Sequence, residues 1–327
     1  MSQNRNFDAQ MSAVNREVED DRALVAAVAR AHYLEDLSRV EIAETFGISR
    51  FKVARLLARA RDEGVVSIEI NDWGLPDNVL AERLRAALGL DGCQVIRSHG
   101  DDDAIRRQIG ASAARLLGDT LHADEVLGVA WGRTLTAATS QLDHLPRLSI
   151  VQLTGVVAGD ISSSPVEVVR QTSRRSGGAV YPIFAPLFVP DAETAAGLRR
   201  HPDIRAALDL FPRLTTALLS VGAWNPPDTQ IKDVLPLDAL TNALSRGCVA
   251  DIAGILIKED GTPVDPEFQE RCLNITYEQL RAVPRVIAVA GGAAKADAMR
   301  AVARAGLVTE LVTDHTLAEA VLEGEDA

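Results

Sequence analysis

The residues with the plainest chemistry are basic and lie together. Arg50, Lys52, Arg55 and Arg59, with Phe51 among them, fall in the stretch 49–61, which carries no acid. Guanidinium and ammonium groups at helical spacing can bond guanine O6 and N7 in a major groove, or neutralise phosphate. Two further spots could hold an anion. Gly132-Arg133-Thr134 follows the apolar run 126–130, and Gly291-Gly292 leads through two alanines to Lys295 after the run 286–290. Glycine lets backbone N–H groups close on a phosphate, Thr134 adds a hydroxyl, and Lys295 adds a charge. A lysine in the first turn of a helix opposes the macrodipole, at a cost of about 0.3–1 kcal/mol unless an anion reverses the sign. The plainer alternatives are a tight turn capped by Thr134 and a solvated Lys295. Asp251 stands alone in the apolar run 249–257 and is costly if buried without partners. Sugar hydroxyls or a backbone donor would satisfy it.

These side chains need elements to hold them. Ser38 is a helix cap with Glu41 three residues on, and Ile42, Ala43 and Phe46 follow at helical spacing. Gly47 ends that helix in a left-handed conformation. Ser49 then caps a second helix whose Val53, Leu56, Leu57 and Ala60 form one apolar stripe. With the stripe buried, Phe51, Lys52, Arg55 and Arg59 face outward and Arg50 lies on the flank. Helix, glycine turn, small residue at the crossing and basic second helix make a DNA-binding helix-turn-helix. Ser49, Arg50, Phe51, Lys52, Arg55 and Arg59 are its candidate DNA contacts. An amphipathic helix over 21–35, with Leu24, Val28, Ala31 and Leu34 on one side, would complete a three-helix domain. The weak alternation over 65–70 would be a wing or a joining strand, and the turn-rich stretch 71–76 marks the boundary.

Beyond it, apolar strands alternate with helices. Strands are expected at 93–96, 126–130, 148–153, 180–184, 215–221, 249–257, 286–290 and 311–313, with helices at 77–88, around Ile105, Ile109 and Leu116, from the turn 131–134 to Leu142, at 293–305, and from Leu317. Near-continuous apolar strands with intervening helices imply a doubly wound parallel sheet. The expected layout is a disordered tail over 1–20, an all-α helix-turn-helix domain over 21–72 and an α/β effector domain over 75–327. At 327 residues and a net charge of −12, the chain is not a general polyanion binder, but positive charge confined to one helix is enough for DNA. Only Lys52, Lys232, Lys258 and Lys295 are lysines against many arginines, which makes each one worth inspecting. Cys93, Cys248 and Cys272 form no paired motif, the histidines are scattered, and no apolar run spans a bilayer. No metal, cofactor, membrane or secretory signal is expected, and the protein is read as cytoplasmic.

The chain resembles the SorC family of sugar-responsive bacterial repressors and activators. The resemblance is carried by 48–57 with 60–66, by Gly128-Val129-Ala130-Trp131-Gly132-Arg133-Thr134-Leu135, and by Gln152-Leu153-Thr154-Gly155. Gly247-Cys248-Val249-Ala250-Asp251-Ile252, and Gly291-Gly292 to Lys295 followed by Leu311-Val312-Thr313-Asp314, continue it. The chain departs from the commoner pattern at Val156-Val157 and at Arg39. The resemblance implies an effector domain related to ribose-5-phosphate isomerase and glucosamine-6-phosphate deaminase. It also implies a phosphorylated sugar as effector and dimers or tetramers on double-stranded operator DNA. By similarity Gly132, Arg133, Thr134 and Lys295 would hold phosphate, and Thr154, Gly155 and Asp251 would line the sugar site; Gly291 and Gly292 complete the candidate ligand-binding set.

The expected function is therefore a DNA-binding regulator of carbohydrate metabolism controlled by a phosphorylated sugar, with no catalytic residues. The alternative is a sugar-phosphate isomerase or aldolase carrying a DNA-binding domain. Such an enzyme needs a general base beside a tuned acid or lysine, and the ligand-site turns show no cluster of Asp, Glu or His. A constitutive DNA-binding protein with a relic pocket is a third reading.

Overall fold

The computed structural model describes residues 22–66, 74–157 and 161–324. The chain divides into two compact units between Asn71 and Asp72. The expected tail over 1–20 and residues 67–70 of the wing or strand expected at 65–70 lie outside the described residues.

The first unit contains helices α1 (22–33), α2 (Arg39–Thr45) and α3 (Arg50–Asp62). The Ser38 hydroxyl accepts from the Glu41 N–H (3.3 Å), and the Ser38 N–H donates to the Glu41 carboxylate (2.8 Å), so both halves of a capping box form. Gly47 turns the chain at φ 63°, and the Ser49 hydroxyl accepts from the Lys52 N–H to start α3. Ile42 and Ala43 meet Val53, Leu56, Leu57 and Ala60 in a small core. The first helix contributes Val25, Val28, Ala29 and Ala31 to that core. Leu34 does not join them as expected. The helix ends before it, the chain turns at Asp36 with φ 53°, and Leu34 is 73% exposed.

The second unit is built on a seven-stranded sheet. Its strands are β1 (Gly92–Ile96), β2 (Val126–Val129), β3 (Ser149–Gln152), β4 (Val180–Tyr181), β5 (Thr216–Leu219), β10 (Arg285–Val289) and β11 (Glu310–Asp314). The order is β1-β11-β10-β5-β2-β3-β4, and every pairing is parallel. β2 and β5 are buried along their whole length, as a parallel sheet with both faces covered requires. The helices that shape the site are α4 (Asp102–Thr120), α5 (Arg133–Ser140), α6 (Ala296–Arg304) and α7 (His315–Glu323).

A second, antiparallel sheet was not expected. It contains β6 (Val221–Trp224), β7 (Pro227–Asp228), β8 (Cys248–Ile252) and β9 (Ile255–Lys258), in the order β7-β6-β8-β9. The run 215–221, read as one strand, is shared between the sheets: it breaks at Ser220 between β5 and β6. The run 249–257, also read as one strand, is a hairpin. Its turn residues Ala253 and Gly254 both have positive φ, 49° and 79°, the pattern of a tight two-residue hairpin. The strand expected at 180–184 shrinks to Val180–Tyr181 at the sheet edge, and the helix expected from residue 293 opens with a 3-10 turn, Ala293–Lys295, before α6.

Candidate functional site

In the first unit, Arg50, Phe51 and Arg55 are exposed on α3, and Lys52 is half-buried. Phe51 is 89% exposed, an apolar ring in water on the helix's outer side. Ser49 spends its hydroxyl on the cap. Arg59 is compromised: Glu63, just past the acid-free stretch, accepts from its Nε at 2.5 Å. Arg50, Phe51, Lys52 and Arg55 therefore remain as the open set for a polyanionic groove.

In the second unit a cavity of about 440 Å³ opens beyond the carboxyl ends of β2, β5 and β10. That is the position at which parallel sheets bind ligands, because helix N-termini point unpaired N–H groups there. Both glycine turns reach it. Gly132, Arg133 and Thr134 line one side, and Gly291, Gly292 and Lys295 line the other. Their strands are separated by β5 rather than adjacent. No side chain caps the helix after Gly132 or the 3-10 turn after Gly292. The Thr134 hydroxyl is thus not used as a cap. Gly132 sits at φ 142°, and a Cβ there would collide with the Ser220 hydroxyl, which donates to the Trp131 carbonyl at 2.8 Å. Only glycine fits. The Gly292 N–H donates to Asp314 Oδ1 (2.9 Å), and the fully buried Asp314 also accepts from Ser98 and Thr316, so this turn is pinned from beneath.

The small sheet supplies the acids. Asp251, 5% exposed, accepts from Trp224 Nε1 (3.0 Å) and the Thr229 hydroxyl (2.6 Å). Gly222 on β6 has no room for a Cβ because Asp251 and Thr229 occupy that space. Burial pushes the Asp251 carboxyl above its usual range despite those two donors. Asp251 does not stand alone, contrary to the sequence reading. Asp228, at the end of β7, lies 3.2 Å from Lys295 Nζ and 2.5 Å from Arg133 Nη2. Burial pushes Asp228 up, but Lys295 and then Arg133 outweigh it and hold the carboxyl below its usual range. Lys295 also donates to the carbonyls of Val221 (2.6 Å) and Asp228 (3.0 Å). Burial lowers the Lys295 ammonium, and Asp228 partly restores it. With a carboxylate and two carbonyls in reach, all three N–H groups of Lys295 have acceptors. An amine so engaged is a poor nucleophile toward a sugar carbonyl, although shifted groups in a cavity are a common mark of enzymes.

The structure does not bring Thr154 and Gly155 to this cavity. Thr154 is fully buried and bridges to Asn274, while the Gly155 N–H donates to the Leu273 carbonyl (2.6 Å). A Cβ on Gly155 would strike the backbone of Ala185 and Pro186. The carboxyl end of β3 is covered by these segments, so the motif packs where a lining role was expected. Sequence reasoning missed Asp228, Thr229 and Arg106, which line the cavity. Asp228 and Thr229 follow two prolines in a segment that reads as a plain turn, and Arg106 reads as a helix-surface arginine. Among the described residues no three His, Cys, Asp or Glu converge as a metal site, and no helix is long and apolar enough to cross a membrane.

Residues 76–323 match the family model described as "Putative sugar-binding domain". The transcriptional regulator LsrR of Klebsiella pneumoniae is 29% identical over 317 residues, covering 92% of this chain and 93% of its own. The erythritol catabolism regulatory protein EryD of Brucella abortus is 25% identical over 311 residues, 92% of this chain and 97% of its own. The full-length sorbitol operon regulator SorC from Klebsiella pneumoniae superposes with a TM-score of 0.70 at 22% identity, over 93% of this chain and 99% of that one. The chain belongs to this sugar-binding domain family, within the SorC/DeoR-like group of transcriptional regulators that join an N-terminal helix-turn-helix to a C-terminal sugar-binding domain. Its relatives are described as regulators rather than enzymes.

Proposed function

We propose that this protein binds operator DNA through α3 and releases or engages it in response to a phosphorylated sugar held in the cavity of the second unit. One observation carries the reading. Two uncapped glycine turns, Arg133, Lys295 and the buried Asp251 all line a single cavity, in a chain that also holds a basic, exposed second helix of a helix-turn-helix. Turn N–H groups and cations suit a phosphate, and a carboxylate suits sugar hydroxyls. The proposed division is DNA-binding over 21–72 and effector-binding over 75–327. A homo-oligomer on a repeated site is part of the proposal, since one helix-turn-helix reads too few base pairs for useful specificity.

The test is a thermal-shift screen with matched free and phosphorylated sugars, followed by operator binding with each hit. A ligand at 100 times its dissociation constant adds about 2.7 kcal/mol. A phosphorylated sugar should both stabilise the protein and change operator affinity. Light scattering should give a multiple of the 35.0 kDa chain. A protein that stays monomeric with operator present, or whose operator affinity no sugar phosphate alters, overturns the reading.

A further inference from the structure

We infer that Asp228 is an internal counter-anion, which an effector's phosphate dianion must replace, so that the site selects dianions over neutral and singly charged sugars. This rests on the cavity being the effector site, as proposed above.

Three cations line the cavity, and each is already paired. Arg106 donates to Asp103 (2.6 Å) and lies 3.4 Å from Asp102, while Arg133 and Lys295 share Asp228. Lys295 has two hydrogen bonds on carbonyls and its charge against the Asp228 carboxylate. An anion entering between Arg133 and Lys295 therefore meets a carboxylate in possession of both charges. A neutral sugar offers nothing to exchange for it. A sugar acid brings the same single charge and would be desolvated for no Coulombic gain. A phosphate dianion brings twice the charge and three terminal oxygens, enough to bond both cations and the N–H groups of the uncapped turns.

The geometry also lets Asp228 leave. Its side chain is 27% exposed, against 5% exposure for the whole of Asp251. Its backbone is fixed independently, by pairing with Ala223 across β6 and by the Lys295 bond to its carbonyl. Rotation about χ1 would carry the carboxylate away from the cations without moving β7. Asp251 has no such freedom, being held by Trp224 and Thr229, and stays available as a fixed acceptor.

The experiment is calorimetric titration of the full chain with inorganic phosphate near pH 8, for the parent, Asp228→Asn and Asp228→Glu. Removing the competing charge should tighten phosphate binding by about tenfold or more in Asp228→Asn, and restoring it in Asp228→Glu should return the affinity toward the parent value. Equal or weaker phosphate binding by a folded Asp228→Asn overturns the assignment. Should that variant not fold, the parent alone decides: phosphate should stabilise it against thermal unfolding and acetate at equal ionic strength should not, and equal effects overturn the assignment. The two readings fail separately. If sugar phosphates alter operator affinity but Asp228→Asn does not gain phosphate affinity, only the counter-anion role is lost. If phosphate binding tightens yet no sugar phosphate alters operator affinity, the counter-anion stands and the proposed regulation is lost.

Discussion

Lys295→Met keeps an unbranched stem of similar length and removes three donors, which makes it the sharpest probe of the cavity floor. The Lys295 side chain is only 12% exposed. The variant strips a charge-assisted bond from the Val221 carbonyl and another from the Asp228 carbonyl, and leaves the Asp228 carboxylate to Arg133 alone. Two such bonds contribute about 1.5–3 kcal/mol each. Against that, burial already disfavours the ammonium, and a thioether there is cheap to desolvate. Asp228 is also partly solvated and keeps one cation, so its loss is discounted. The net is a destabilisation of about 1–4 kcal/mol. For a unit of this size that corresponds to about 2–4 °C in Tm per kcal/mol, hence a drop of about 2–16 °C. Circular dichroism melts read it directly. A double-mutant cycle with Asp228→Asn should show coupling of about 0.5–3 kcal/mol, because the second change removes the carboxylate that the first left exposed to loss. The same variant should bind sugar phosphate about tenfold or more weakly while changing little toward the matching free sugar. A melt within about 1 °C of the parent, with no coupling to Asp228, would show that Lys295 is a spectator and refute the reasoning.

Arg55→Ala should cost about 1–3 kcal/mol of operator affinity and relax preference at one base pair per half-site, read by fluorescence anisotropy; an unchanged ratio between operator and scrambled DNA would remove Arg55 from the readout. Gly132→Ala should destabilise the second unit by about 1–3 kcal/mol, since φ 142° suits only glycine and the new Cβ meets Ser220; adding Ser220→Ala should recover only the steric share, and full recovery would show the backbone is unstrained. Acid stability tests Asp228. Its folded carboxyl titrates below the ordinary 3.8, so its ion pairs stabilise the protein fully above that pH and are lost as pH falls through the lower folded value. The gap in Tm between parent and Asp228→Asn should therefore be largest near neutrality and close in acid, whereas a gap independent of pH would mean the carboxylate charge is not what matters.

The helix-turn-helix was legible because its signals are local. Ser38 and Glu41 cap each other across three residues, Gly47 takes the positive φ between α2 and α3, and Val53, Leu56, Leu57 and Ala60 repeat at the helical period. Each of these depends on neighbours in sequence, and the fold adds nothing that overrides them. Leu34 shows where this stops: helical periodicity continues one residue past the end of α1, and periodicity carries no information about where a helix ends unless a cap marks it. The parallel strands were legible for a similar reason, since strands buried on both faces read as continuous apolar runs. That same uniformity hid the second sheet. A continuous apolar run looks alike whether it is one strand, a strand that changes sheets at Ser220, or a hairpin folded at Ala253 and Gly254, and alanine at a positive φ announces no turn.

The site divides along the same line. Gly132, Arg133, Thr134 and Lys295 could be found because a glycine after an apolar strand and before a helix is a local anion signature. Thr154 and Gly155 carried a comparable local pattern, yet they are packed away, because whether a strand end is open depends on segments more than a hundred residues later, those around Leu273 and Asn274. Asp228 is the converse case. In sequence it sits in a proline-bounded turn with nothing to mark it, and its importance comes entirely from being carried by β7 to a position between two cations that arrive from opposite sides of β5. A charge pair of that kind belongs to topology rather than to any stretch of chain. The cations that make the glycine turns look like an open phosphate cradle are already paired with Asp228. Local signatures located the turns that line the cavity, and the carboxylate that pairs with their cations came from the antiparallel sheet they did not reveal.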